Sequence, residues 1–126
     1  MNVRLAYGKI IDRQVFYEKG GNLHPKLDNI VLLQAEPGIA GAFLIFRGWA
    51  DDHGSFTEQF KIKEPEGRTI YTSSPREVHI VSATHTERLE DEVADLEFEF
   101  AGEGYLLILY ADGREIATIN FDVKVE

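Results

Sequence analysis

The chain reads as an all-β protein, an antiparallel immunoglobulin-like β-sandwich of about eight strands with little or no helix. Three observations predict this. Short runs alternate apolar and polar residues, turn residues punctuate them at close spacing, and an Asp112-Gly113 pair joins the last two runs as a two-residue hairpin. The length of 126 residues suits a single domain spanning residues 1–126, because no repeat, low-complexity stretch or linker-like shift in composition divides it.

Turn signals recur at Gly20-Gly21-Asn22, Glu36-Pro37-Gly38, Asp51-Asp52-His53-Gly54, Glu64-Pro65-Glu66-Gly67, Ser73-Ser74-Pro75 and Gly102-Glu103-Gly104. Between them, Phe56, Phe60 and Ile62 oppose Thr57, Gln59, Lys61 and Lys63. Val78 and Ile80 flank His79, and Leu96, Phe98 and Phe100 oppose Glu97 and Glu99. Each pattern predicts a strand with one buried and one wet face. Residues 86–94 are acidic, with Thr86 as a candidate N-cap and Leu89 and Val93 four apart, and predict a loop or one or two helical turns.

Two runs break the alternation. In residues 42–49, Phe43, Ile45 and Trp49 point one way and Leu44 and Phe46 the other. In residues 105–110, Tyr105, Leu107 and Leu109 oppose Leu106, Ile108 and Tyr110. A two-layer sandwich leaves one face of each strand in water, so these second faces need a cover. The segment 18–29 or another subunit would supply it. The final strand shifts phase: a two-residue turn sets Leu109 opposite Ile116, yet Phe121, Val123 and Val125 have the other parity. That predicts a bulge or sheet switch within residues 117–120.

Composition excludes several function classes. Apolar residues at 44% are too many for a disordered chain. With no cysteine, disulfides, thiol catalysis and cysteine-bound zinc are out. No run has the length of a membrane span, and the first ten residues hold no signal-peptide core, so a cytoplasmic location is expected. A net charge of −9 repels phosphate backbones and anionic lipid, so neither nucleic acid nor membrane is expected as a partner. The bases Arg4, Lys9, Arg13, Lys19, Lys26 and Arg47 are scattered singly, and Lys61 and Lys63 share one strand face.

No catalytic or metal-binding constellation emerges, and no cofactor is expected. His79 and His85 would lie roughly 20 Å apart along one strand, too far to share an ion. The acidic turn from Asp51 to Gly54 lacks calcium-loop spacing. Ser55 lacks a nucleophile-elbow pattern, and Gly38-Ile39-Ala40-Gly41 lacks the lysine and helix of a phosphate loop. Glu97 and Glu99 are paired carboxylates on a wet strand face. The chain is therefore expected to be no enzyme.

Phe60-Lys61-Ile62-Lys63-Glu64-Pro65-Glu66-Gly67, Gly102-Glu103-Gly104-Tyr105 and Leu109-Tyr110-Ala111-Asp112-Gly113 together resemble a family of small bacterial immunoglobulin-like proteins of unknown function. The resemblance covers residues 56–126 and departs from the family's Gly-Glu-Tyr order at Glu103-Gly104-Tyr105. It implies a bacterial β-sandwich and no catalytic residues.

Two binding functions compete, with an enzyme using Asp51, Asp52 and His53 or the glutamate strand as a third reading. One is a non-enzymatic binding or assembly module acting through protein contacts, as a homodimer or with a protein partner, across Leu106, Ile108, Tyr110, Leu44 and Phe46. The alternative is a carbohydrate or small-ligand module using a loop formed by Trp49, Asp51, Asp52 and His53, where an exposed tryptophan would stack on a sugar.

Overall fold

A computed structural model describes residues 2–52 and 54–126. His53 lies outside the described residues. The strands are β1 (Arg4–Asp12), β2 (Ile30–Leu33), β3 (Gly38–Ile39), β4 (Phe43–Ala50), β5 (Gly54–Lys63), β6 (Thr69–Thr72), β7 (Arg76–Ile80), β8 (Glu87–Val93), β9 (Glu97–Phe98), β10 (Gly102–Ala111) and β11 (Arg114–Val125). One six-residue helix, α1 (Arg13–Glu18), follows β1. The protein is all-β.

Nine strands form one sheet in the order β6-β5-β10-β11-β2-β1-β4-β8, with β7 also paired to β5; β3 and β9 pair separately. The sheet folds over on itself. β4 and β5 are not neighbours in it, yet their side chains meet in the core: the Trp49 and Phe56 rings lie 5.2 Å apart. β1, β4 and β8 thus face β5, β10 and β11 across a core that includes Ile10, Ile45, Phe60, Leu107 and Phe121. At the open seam, β8 and β7 are tied by Arg76 to Asp91 at 2.9 Å.

The purely antiparallel expectation is wrong. β2 runs parallel to both β1 and β11. Parallel neighbours need a long crossover, and residues 13–29 supply it. They return the chain to the side of the sheet where β2 slots between β11 and β1.

The helix or loop expected at residues 86–94 is strand β8. Its inward positions are Leu89, Asp91 and Val93, opposite Arg47, Ile45 and Phe43. Asp91 takes an apolar position because Arg47 neutralises it at 3.0 Å, and that substitution hides the alternation. The run Leu96–Phe100 shortens to β9, with Phe98 buried.

The phase slip on the last strand is real but earlier than expected. Leu109 pairs with Ala117 and Tyr110 with Glu115, so Ile116 is the extra residue. Asp112 and Gly113 have φ of 50° and 79°, the left-handed pair a type I′ turn requires.

Tyr105, just past the register shift near the start of the β10–β11 pairing, donates its hydroxyl hydrogen to the Phe100 carbonyl at 2.6 Å. Burial, then the carboxylates Glu64, Glu36 and Glu99, push its pKa up to about 12.

Candidate functional site

The loop expected to hold a ligand is built into the frame instead. Trp49 is fully buried, and its indole Nε1 donates to Glu58. Asp51 is also fully buried: its Oδ1 accepts the Asn2 N–H at 2.9 Å and the Asp52 N–H at 2.7 Å. Those backbone donors, Asn2 foremost, hold its carboxyl below the usual carboxylate range against the opposing effect of burial. Asp52 is exposed. A sugar platform on Trp49 is therefore ruled out by its burial.

Around Trp49 lies a buried charge network that composition gave no hint of. Arg47 points inward in register with Phe43, Ile45 and Trp49. Its Nη2 and Nε sit 2.6 and 2.7 Å from the two Glu58 oxygens, and Nη2 also reaches Asp91. Burial weakens the Arg47 charge most, but the bonds and fields of Glu58 and Asp91 outweigh it, and its pKa is raised. A bidentate, fully satisfied pair of this kind is structural.

The second face of β4 is covered from within the chain. Leu44 and Phe46 cluster with Ile11 and Phe16, and Tyr7, Val15, Leu27 and Ile30 pack around them. Phe16 of α1 lies 4.9 Å from Phe46 between ring centroids. Asp12 caps that helix by accepting the Val15 N–H at 3.1 Å. Leu44 and Phe46, expected as interface, thus have too little surface left to dock a partner, at 4% and 9% exposed.

Among the described residues, no helix or loop forms such a lid on the second face of β10. Leu106 and Tyr110 are half-buried; Ile108 is buried. Their neighbours across the sheet are Lys63, Lys61 and Gln59 on β5, and Asn120, Thr118 and Glu115 on β11. The Lys61 ammonium lies 5.3 Å from the Tyr110 ring centre. The Lys61 side chain on the flanking strand thus lies over part of this row.

One pair with nucleophile chemistry forms that sequence inspection missed. Ser55 Oγ and His79 Nδ1 are 2.8 Å apart because β5 and β7 place them directly opposite. Both are on an exposed face, and the nearby acid Glu77 bonds Thr57 instead of orienting the ring. Among the described residues, no three His, Asp or Glu side chains converge to hold a metal ion.

Two concavities of about 490 and 410 Å³ lie on the outside of β1, where the 19–29 segment crosses it. Tyr7, Lys9, Leu23, Pro25 and Arg88 line the larger, and His24 walls both. Gly48 makes room for the Tyr7 ring: a Cβ there would sit 2.2 Å from Tyr7 Cε1.

No family model and no curated protein matches the chain, so membership of the family suggested by residues 56–126 is not shown. Solved structures share its fold. An alkylpurine DNA glycosylase from Pseudomonas fluorescens, solved bound to DNA containing an abasic-site analogue, matches 98% of this chain at 7% identity and a TM-score of 0.56. A Bacteroides fragilis protein assigned as a β-galactosidase matches 72% at 15% identity and a TM-score of 0.50. The chain spans only 31% and 15% of those two proteins. An immunoglobulin-like protein from Pseudomonas aeruginosa matches 98% of this chain and 97% of its own length, at 15% identity and a TM-score of 0.47. At such identities the likeness is one of fold.

Proposed function

We propose that this chain is a non-enzymatic, immunoglobulin-like binding module that self-associates through the outer face of β10. One observation carries the reading: half-buried Leu106 and Tyr110, on either side of buried Ile108, form an apolar second face that no helix or further strand covers among the described residues, and its flanks have opposite charge. Lys61 and Lys63 border it on β5; Glu115 on β11 borders it on the other side, with Asp122 and then Lys124 further along that strand. Two copies packed face to face about a two-fold axis along the strands would set the lysine flank of each against the acidic flank of the other. A two-fold interface of this kind must be complementary to itself, and this face is.

Three further features support a binding role over catalysis. Asp51 Oδ1 is committed to backbone donors, Glu58 to Arg47 and Trp49, and the Ser55–His79 pair lies open to solvent without an orienting acid. The test is size exclusion with light scattering at micromolar to tens of micromolar chain. The expected mass approaches twice the 14.3 kDa of one chain and falls with dilution. Replacing Leu106 and Tyr110 with serine should give monomer throughout. A wild-type monomer at every concentration would refute self-association.

A further inference from the structure

The bases that are scattered along the sequence converge in space on the opposite layer from β10. Lys9 and Arg88 line the larger concavity beside β1, and Lys19 and Lys26 line the smaller. Asp28 is the single carboxylate among the lining residues. The trough thus carries a net charge of about +3 in a chain of −9, an inversion that marks a site for negative charge.

Among the described residues none of these four bases has a carboxylate at salt-bridge distance, a state they share with Arg4, Lys61, Lys63, Arg114 and Lys124, whereas Arg13, Arg47, Arg68 and Arg76 are paired. Lys9 donates only to the Leu27 carbonyl, which fixes the 19–29 segment over β1 and leaves its charge unneutralised. Apolar surface alternates with the charges: Tyr7, the 38%-exposed Leu23, and Pro25.

We propose that this trough is a second binding site, for a short acidic peptide segment carrying an apolar side chain. Acidic motifs are recognised by clustered bases. Two adjacent concavities of 490 and 410 Å³ with His24 as their shared wall suit separate side chains of one segment, with Tyr7, Leu23 and Pro25 receiving the apolar one. A nucleic acid fits less well. Its charge would extend beyond the trough onto Glu90 and Glu92, which share the outer face of β8 with Arg88, and into the field of a strongly acidic chain.

The experiment titrates the full chain into a fluorescein-labelled peptide of Asp and Glu with a central Leu-Phe pair, read by anisotropy. Saturable binding is expected, weakening as salt is raised. Lys26→Glu with Arg88→Glu should lower affinity at least about tenfold. Both side chains are exposed, and an unchanged thermal melt verifies the fold; Lys19→Glu alone, with a severalfold loss, guards against misfolding of the pair. A single-stranded oligonucleotide of equal charge should bind more weakly. Absence of saturable binding, an affinity unmoved by the reversals, or an oligonucleotide that binds as tightly would overturn the proposal. The light-scattering mass is independent of these variants, so failure here leaves the self-association reading standing.

Discussion

Arg47 on β4 and Glu58 on β5 meet across the core, Nη2 to Oε1 at 2.6 Å, with side chains 1% and 2% exposed. The strands belong to facing layers, so this bidentate pair sets their spacing as well as satisfying two buried charges. Removing one partner strands the other. Glu58→Leu should cost about 3–5 kcal/mol in urea unfolding. Arg47→Met combined with Glu58→Leu should be more stable than Glu58→Leu alone, because an apolar pair leaves no buried cation. A double variant less stable than the single would contradict a purely structural role.

Tyr105→Phe deletes the hydroxyl bonded to Phe100 and should cost about 1 kcal/mol. It should also change the alkaline limb. The folded tyrosine keeps its proton to about 12, whereas an unfolded one ionises at about 10. Between those values the unfolded chain holds fewer protons, so stability falls as pH rises. Denaturant melts from neutral pH upward should show this fall in the wild type and a smaller one in Tyr105→Phe.

Phe16 is the lid residue on the outer face of β4. Phe16→Ala should destabilise by about 3–5 kcal/mol and loosen α1 from Leu44 and Phe46. Increased binding of a hydrophobic dye under native conditions is the expected signature of that newly open face.

Gly48 tolerates no side chain while Tyr7 lies over it. Gly48→Ala should cost about 1–3 kcal/mol through displacement of the ring. Adding Tyr7→Ala should recover part of that loss, so a double-mutant cycle should show strong coupling.

How much of this was legible in sequence depends on whether a residue's partner was local. The Asp112-Gly113 turn and the existence of a phase slip on the last strand follow from period and turn chemistry, which act over a few residues, but the slip falls at Ile116 and not within residues 117–120. β8 was misread because Asp91 faces inward to an arginine far away in sequence, and an inward acid destroys the alternation that marks a strand. The parallel β2 depends on where a crossover returns, which no local pattern encodes. Trp49 passed for a ligand platform because its partner, Glu58, lies on the facing layer. The basic trough escaped notice for a similar reason: Lys9 and Arg88 are neighbours only once β1 and β8 both flank β4.

Self-association by opposed charged flanks has one decisive measurement. Lys61→Glu with Lys63→Glu makes one flank match the acidic one, and Glu115→Lys with Asp122→Lys makes the converse chain. Each variant alone should be monomeric by light scattering, and an equimolar mixture should regain twice the chain mass. A mixture that stays monomeric while the wild type dimerises would place the interface elsewhere and contradict the account.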